Sequence, residues 1–228
     1  MLIPFKDSNP LQVIRFQIVT ASFIVINVVV FLFTGPLALP EFSSAVATAW
    51  GVVPVELLHP GMVIPISIEP VPEPVTLLTY MFLHGGWLHL IFNMVFLWVF
   101  ADNIEDAFGH GGFALFYILC GIAAGLTHAV MEPGSQVPVI GASGAVSGVL
   151  GAYLLLFPKA RLWVIFYLPI PFRIPAVIVL GFWFATQLLG LFTPGEGDQM
   201  IAWWAHIGGF ITGLILTLLL RSRLLVKA

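Results

Sequence analysis

Long runs without Asp, Glu, Lys or Arg dominate this 228-residue chain. Five of them have about the 20 residues that an α-helix needs to cross a bilayer, at about 16–34, 84–101, 111–130, 174–192 and 201–220. A shorter run lies at about 142–157. Apolar residues make up 60% of the chain and charged residues only 8%, against about 25% charged in soluble domains. The sequence therefore predicts an all-α membrane protein, a six-transmembrane helix bundle formed by a single domain over residues 1–228.

The basic residues all fall in segments that would face the cytoplasm if both termini do. They are Lys6, Arg15, Lys159, Arg161, Arg173, Arg221, Arg223 and Lys227. Because Lys and Arg concentrate in cytoplasmic loops, this distribution predicts that both the N-terminus and the C-terminus are cytoplasmic. The run at 16–34 is too long for the apolar part of a signal peptide, and we interpret it as a retained span. The net charge of −3 and the scattered basic residues give no indication of nucleic acid binding.

The segment between the first two runs, about 35–81, is apolar but contains eight prolines, too many for a further spanning helix. We predict short helices at 52–58 and 75–82, which either lie in the outer membrane interface or pack as a cap over the bundle. Residues 102–110 are interpreted as a turn. The loop at 157–174 is basic and interrupted by prolines, and no chemistry is expected there.

Strongly polar side chains inside the runs are costly in lipid and usually face the bundle interior or a wet cavity. They are Asn27, His84, His89, Asn93, His128, Ser143, Gln187 and His206. Counted from the cytoplasmic end of each run, Ser143 and His206 lie about 22 Å up and His89 about 20 Å. Three polar groups from three helices therefore share one level. We interpret His84 and His128 as structural or interfacial, and Asn27 and Gln187 as hydrogen bonders in helix packing.

A serine, a histidine at its level and further hydrogen-bond donors are the components of an acyl-transfer site. The serine, Ser143, begins an apolar run, which places its hydroxyl at a helix N-terminus, where unpaired N–H groups and the helix dipole favour negative charge. His89 and Asn93 are four residues apart and share one helix face.

Small residues repeat at intervals of four in two of the runs. Gly144 and Gly148 lie in the fourth run, and Gly209 and Gly213 in the sixth. Such faces let membrane helices approach closely, which a hydrogen bond between Ser143 and a histidine of the sixth run requires.

Three motifs together resemble the rhomboid family of intramembrane serine proteases. They are HGGWLHLIFN at 84–93, GASG at 141–144 and AHIGGFITG at 205–213. The resemblance implies that Ser143 is the nucleophile and His206 the base of a dyad without a carboxylate. It also implies an oxyanion hole formed by His89, Asn93 and the Ser143 N–H, with Gly141 keeping the approach open. Glu105 and Gly109 resemble a structural element of the family.

Two features depart from the family pattern. Some members have a tyrosine four residues after the serine that stacks on the histidine, and this chain has Ser147 there. The first outer segment also lacks a Trp-Arg pair that some members use to shape it.

The resemblance further implies a multi-pass protein of the prokaryotic cytoplasmic membrane with its active site open to the outer face. Its partners would be the lipid bilayer and transmembrane segments of substrate proteins, with no cofactor, metal or nucleic acid.

Hydrolysis inside a membrane needs water and an unwound substrate. The short fourth run leaves room above Ser143 for a wet cavity, covered by the first outer segment and by residues 193–200. A substrate helix must unwind because its carbonyls are engaged in its own hydrogen bonds. We therefore expect cleavage near the outer end of a membrane segment, favoured by helix-weakening residues. The family implies substrate access between the second and fifth spans, where Phe182, Trp183 and Phe184 are candidates for a gate.

Three other functions would each explain part of the sequence. A metalloprotease is disfavoured because His84 and His89 are five residues apart, no HExxH motif occurs, and the runs lack acidic ligands. A small-solute transporter would explain polar groups at mid-depth, but no inverted repeat is visible. A non-catalytic binder of membrane segments, acting as a chaperone or degradation adaptor, could use the same fold, and loss of Ser143 or His206 would be its sequence signature.

Overall fold

Nine α-helices and one small β-sheet form the part of the chain described by the computed structural model, which covers residues 3–35, 37–166, 168–192 and 201–225. The helices are α1 (Ile18–Thr34), α2 (Pro40–Trp50), α3 (Pro54–Leu58), α4 (Glu73–Thr79), α5 (Trp87–Phe108), α6 (His110–Met131), α7 (Ser143–Leu156), α8 (Ala176–Phe192) and α9 (Trp203–Leu220). The strands are β1 (Ile3–Lys6), β2 (Arg161–Phe166) and β3 (Leu168–Pro175), antiparallel in the order β1-β2-β3.

The apolar runs of the sequence correspond to six of these helices. Among the described residues, α5, α6 and α9 are long and apolar enough to cross a membrane, as judged by length and composition. The helices α1, α7 and α8 are shorter but also apolar. The prediction of a mostly helical membrane protein is therefore confirmed, whereas the count of six spans and the orientation of the termini stay predictions.

The second run has different boundaries from those expected. His84 precedes α5 rather than lying within it, because the helix begins only at Trp87, after two consecutive glycines. At the other end, the segment interpreted as a turn at 102–110 is helical as far as Phe108. The chain reverses at Gly109, which has a positive φ of 69°.

Carboxylates in the last turns of α5 explain why this helix continues through a charged sequence. Asp106 accepts hydrogen bonds from the backbone N–H groups of residues 12–14 at 2.7 to 2.8 Å. Glu105 accepts from the N–H groups of Val19 and Thr20 at the start of α1. These N–H groups have no partner within α1, and a carboxylate beside them also interacts favourably with the helix dipole. The two acidic residues thus attach the segment that leads into α1 to the end of α5.

The sheet corrects the prediction of an all-α chain with an irregular loop at 157–174. Strand β2 is the central strand and consists mainly of apolar, aromatic and β-branched residues, which favour β-structure. Strand β3 contains three prolines, which are tolerated because it is an edge strand whose outer side needs no N–H donors. On the other edge, β1 leads to Asp7, whose carboxylate accepts a hydrogen bond from the Tyr153 hydroxyl at 2.6 Å. Burial raises the pKa of the Asp7 carboxyl.

The outer segment between α1 and α5 contains three short helices. Two of them, α3 and α4, confirm the short helices predicted at 52–58 and 75–82, while α2 was not predicted. Their placement in the membrane interface stays a prediction. Val52 and Val139 exchange backbone hydrogen bonds of 3.0 and 2.8 Å. This pairing connects the outer segment to the residues that lead into α7.

Helices α7 and α9 pack with their backbones in contact. A Cβ atom placed on Gly209 would collide with the carbonyl oxygen of Gly144, and one on Gly213 would collide with that of Gly148. On its other side, Gly144 faces Ala124 of α6, whose Cβ is 2.6 Å from the position a Cβ on Gly144 would take. Only glycine permits this approach, which brings the first turn of α7 beside the first turn of α9.

Candidate active site

Ser143 is the first residue of α7, at the helix N-terminus where the sequence predicted it. The residue before the helix cap, Gly141, has a φ of 125°, a conformation that other residues rarely adopt. Its N–H donates to the carbonyl oxygen of Tyr80 at 2.8 Å. The Tyr80 hydroxyl donates in turn to the carbonyl oxygen of Gly121 in α6 at 2.6 Å. The turn that presents Ser143 is therefore attached to both the outer segment and α6.

His206, in the first turn of α9, has hydrogen-bond partners on both ring nitrogens. Its Nε2 lies 2.9 Å from the Oγ atom of Ser143. Its Nδ1 lies 2.7 Å from the Oε1 atom of Gln187 on α8. An amide oxygen can only accept, so Nδ1 donates; in a neutral imidazole Nε2 then accepts from the Ser143 hydroxyl. Three side chains from three helices form one hydrogen-bonded chain.

The sequence predicts that Gln187 is a hydrogen bonder in helix packing, whereas the structure places its amide oxygen on His206. The signal in the sequence that could have drawn attention to Gln187 is its depth. Counted from residue 174, Gln187 lies about 20 Å above the cytoplasmic end of its run, the same level as Ser143 and His206. Depth alone does not tell which way a side chain points. The structure adds the rotation of α8 about its axis, which directs Gln187 towards His206.

The place of the tyrosine found in some family members is taken by different groups here. The Ser147 hydroxyl donates to the carbonyl oxygen of Ser143 at 2.6 Å, which is a bond within α7. The rings beside His206 are Trp183 and Trp203, each with its centroid 6.2 Å from the imidazole centroid. The ring of Trp183 is tilted by 38° and that of Trp203 is nearly perpendicular, at 86°. Two tryptophans thus flank the histidine.

The other predicted site residues lie beside this hydrogen-bonded chain. The ring of His89 packs against Gly141, where an added Cβ would be 2.6 Å from Nε2 of His89 and 3.6 Å from Oγ of Ser143. Asn93 donates one amide N–H to the carbonyl oxygen of His89 at 2.9 Å and has a second N–H available. His84 is buried, packs edge-on against the His89 ring at 5.0 Å, and neither of its ring nitrogens has a hydrogen-bond partner among the described residues.

A cavity of about 1690 Å³ connects these side chains. Its polar lining includes His84, His89, Asn93, His128, Ser143 and His206, and its apolar walls come from α1, α2, α5, α7, α8 and α9. Residues of the outer segment line it, as expected for a cover, whereas the second expected cover, residues 193–200, lies outside the described residues.

The three candidate gate residues have different surroundings. Trp183 lines the cavity. Phe184 stacks on Phe210 of α9 with ring centroids 4.3 Å apart. Phe182 is 57% exposed. Trp183 also packs against Phe210, with ring centroids 6.1 Å apart, so Trp183 and Phe184 share a partner on α9. A gate formed by these residues stays a prediction.

Comparison with known proteins supports the family resemblance that the three sequence motifs suggest. The family model described as the Rhomboid domain matches residues 72–223, more than half of the chain. Rhomboid protease GluP of Bacillus subtilis is 34% identical over 137 residues, covering 60% of this chain and 24% of that protein. RHOMBOID-like protein 5 of Arabidopsis thaliana is 29% identical over 147 residues, covering 64% of this chain and 44% of that protein.

A protein named as inactive is also among the relatives. Inactive rhomboid protein 1 of Drosophila melanogaster is 34% identical over 96 residues, covering 42% of this chain and 7% of that protein. The chain spans less than half the length of each of these three relatives. The matched region contains all three motifs, from His84 to Gly213, and the resemblance is confirmed. The chain belongs to the rhomboid family.

Proposed function

We propose that this protein is an intramembrane serine endopeptidase that hydrolyses peptide bonds in or near the transmembrane segments of other membrane proteins. The observation that carries the proposal is the 2.9 Å hydrogen bond between Ser143 Oγ and His206 Nε2, two residues that both line the cavity. A serine hydroxyl at neutral pH is a weak nucleophile, and an adjacent base is what activates it.

Acylation begins when Oγ of Ser143 attacks the carbonyl carbon of the scissile bond. The Oγ–C bond forms, the π electron pair of the carbonyl moves to its oxygen, and the hydroxyl proton passes to Nε2 of His206. When the intermediate collapses, the C–N bond breaks and His206 gives that proton to the leaving amine. In the second half, water loses a proton to His206 as its oxygen bonds to the acyl carbon, and Ser143 regains its proton as it leaves.

The negative charge on the substrate oxygen is stabilised by donors around the start of α7. The Ser143 N–H is in the first turn and has no partner within the helix, and the helix dipole adds positive potential there. The second amide N–H of Asn93 and the ring of His89 complete the proposed oxyanion hole. Donors held in place before the reaction need no reorganisation when charge develops, and each such donor contributes about 10²- to 10³-fold to the rate.

The proposed substrate is a membrane segment that can unwind near its outer end. Access to the cavity is proposed between α5 and α8, both of which contribute to its walls.

In the proposed topology α1 and α5 to α9 cross the bilayer as one domain, with both termini cytoplasmic and the active site open to the outer face of a prokaryotic cytoplasmic membrane. Contacts at one end of the bundle support the part of this proposal that places both termini on the same side. Arg161 N–H donates to Ser8 Oγ at 3.1 Å, and Leu225 N–H donates to the Ala107 carbonyl oxygen at 2.8 Å.

The proposal is tested with purified protein in liposomes that also contain a reporter membrane segment. Two matched reporters are needed, one with helix-weakening residues at its outer end and one with a leucine-rich run there. We expect cleavage of the first and none of the second, because only the first can expose its carbonyls. Equal cleavage of both would contradict the unwinding step. Stable binding of several different reporters without any cleavage would favour the non-catalytic binder instead.

Gly141→Ala is expected to lower the rate of cleavage by about 10- to 100-fold without a large loss of folded protein. The Cβ would lie 2.6 Å from His89 Nε2, and the φ of 125° is strained for alanine, at a cost of about 1 to 3 kcal/mol. Both effects displace a proposed oxyanion-hole residue. The measurement is initial cleavage rate at matched amounts of monomeric, folded protein. Gly181→Ala, on the open face of α8, is the matched control and should cleave normally.

A further inference from the structure

The proposed base, His206, is partly buried and has no carboxylate partner among the described residues, yet hydrogen bonds fix the orientation of its ring. Its Nδ1 faces Oε1 of Gln187 at 2.7 Å, a short hydrogen bond to an uncharged acceptor. Gln187 itself is only 5% exposed. A buried amide that contacts a catalytic base from a third helix requires an explanation beyond helix packing.

The orientation of the Gln187 amide is fixed by its own partners. Its Nε2 donates to the carbonyl oxygen of Trp183 at 3.0 Å and to the hydroxyl oxygen of Thr186 at 3.0 Å. If the amide were reversed, its oxygen would face the Trp183 carbonyl oxygen and that bond would be lost. Because Nε2 of Gln187 donates to groups of α8, Oε1 of Gln187 points to His206. An amide oxygen accepts only, so Nδ1 of His206 must carry a proton to bond with it.

We propose that Gln187 is a positioning residue that holds neutral His206 with its proton on Nδ1, so that Nε2 is free to take the proton of Ser143. This inference rests on the proposed function. In soluble serine proteases a buried aspartate has this role, and removing its charge-assisted bond leaves the histidine in the wrong tautomer. A neutral amide fixes the tautomer without placing an ionised group inside the membrane, where charges are expensive.

Other groups near His206 do not supply this bond. Ser147 donates its hydroxyl within α7, and the flanking rings of Trp183 and Trp203 offer no acceptor for an in-plane N–H bond. Gln187 is also not among the residues that line the cavity. Its loss should therefore act on the chemical step through His206 rather than on substrate binding.

The first test compares Gln187→Leu with Gln187→Glu in the reporter assay. We expect Gln187→Leu to lower kcat by about 10- to 100-fold with KM unchanged. Gln187→Glu should recover most of kcat, since a protonated carboxyl group can accept from Nδ1 and donate to the Trp183 carbonyl oxygen. The matched control is Asn27→Leu on α1, where another buried amide bonds the carbonyl oxygen four residues earlier, at 2.8 Å, with no catalytic neighbour. It should keep its kcat.

The second test reads the tautomer directly and does not depend on cleavage. Nitrogen chemical shifts of isotope-labelled histidine in bilayer samples distinguish N–H on Nδ1 from N–H on Nε2, and a spectrum of His206→Gln assigns the His206 signals. We expect Nδ1–H in the wild type and a shift of the population to Nε2–H in Gln187→Leu, where Ser143 Oγ becomes the better acceptor. An unchanged tautomer and unchanged kcat in Gln187→Leu would overturn the inference while leaving the proposed function intact. If the wild type cleaves no reporter, the tautomer result still decides the role of Gln187.

Discussion

Replacing Ser143 with alanine is expected to reduce cleavage of the reporter segment by about 10⁴- to 10⁶-fold, and His206→Ala should have an effect of similar size. The two side chains share one proton across a 2.9 Å hydrogen bond, so neither can catalyse acylation alone. For the same reason, the double variant should be no slower than either single variant. The measurement is the initial rate in liposomes, with each variant shown to be folded.

A matched control separates this effect from the general loss of a hydroxyl group in a helix. Ser22→Ala removes a hydroxyl that donates to the carbonyl oxygen of Ile18 on the exposed side of α1, and it should cleave like the wild type. Substantial cleavage by Ser143→Ala would contradict the proposal, because the reaction would then proceed without its nucleophile. Additive losses in the double variant would contradict the shared role of the pair.

Gly209→Ala is expected to destabilise the protein by about 2 to 3 kcal/mol, although alanine is the better helix former by about 1 kcal/mol. The added Cβ would collide with the carbonyl oxygen of Gly144, and this clash cannot be relieved by rotating a side chain because both groups belong to helix backbones. Separation of α7 from α9 would also lengthen the hydrogen bond between Ser143 and His206. The measurement is thermal unfolding in detergent together with cleavage rate.

The control for this substitution is Gly181→Ala, at a position where nothing lies within 4 Å of the added atom. It should be neutral or slightly stabilising, because only helix propensity changes. If Gly209→Ala had the same stability as Gly181→Ala, close contact between the backbones of α7 and α9 would not be needed for the fold. If Gly209→Ala lost stability but kept full activity, close contact between α7 and α9 would not be needed to bring Ser143 to His206.

The helices could be predicted from the sequence more completely than the sheet. Uncharged runs of about 20 residues have few alternatives in a membrane, so the positions of α1 and α5 to α9 follow from hydropathy. Strand pairing depends on residues far apart in the chain, and β1 contacts β2 across most of its length. The end of α5 was misjudged for a related reason. Its charged residues are typical of a loop. Only the structure shows that they accept hydrogen bonds from the N–H groups of residues 12–14 and of α1.

The depth of the site residues could also be predicted, but their hydrogen bonds could not. The constant rise of a helix placed Ser143 and His206 at one level, and the structure brings them into contact. Gln187 shares that level, yet its role depends on the rotation of α8 and on which carbonyl its amide nitrogen meets. A sequence specifies these features only through the packing of the whole bundle.

The pairing of β1 with β2 has a consequence for how the protein is made. Pro4 is synthesised before α1, but its partner Val164 is synthesised only after α7 is complete. Throughout that interval the backbone groups of β1 lack their partners in β2, and Asp7 lacks the hydrogen bond from the Tyr153 hydroxyl. Because a strand cannot pair before its partner exists, β1 becomes ordered only after most of the helices have been synthesised. In a ribosome stalled before residue 160, β1 would be unpaired, and we expect proteases to cut it there more readily than in the finished protein.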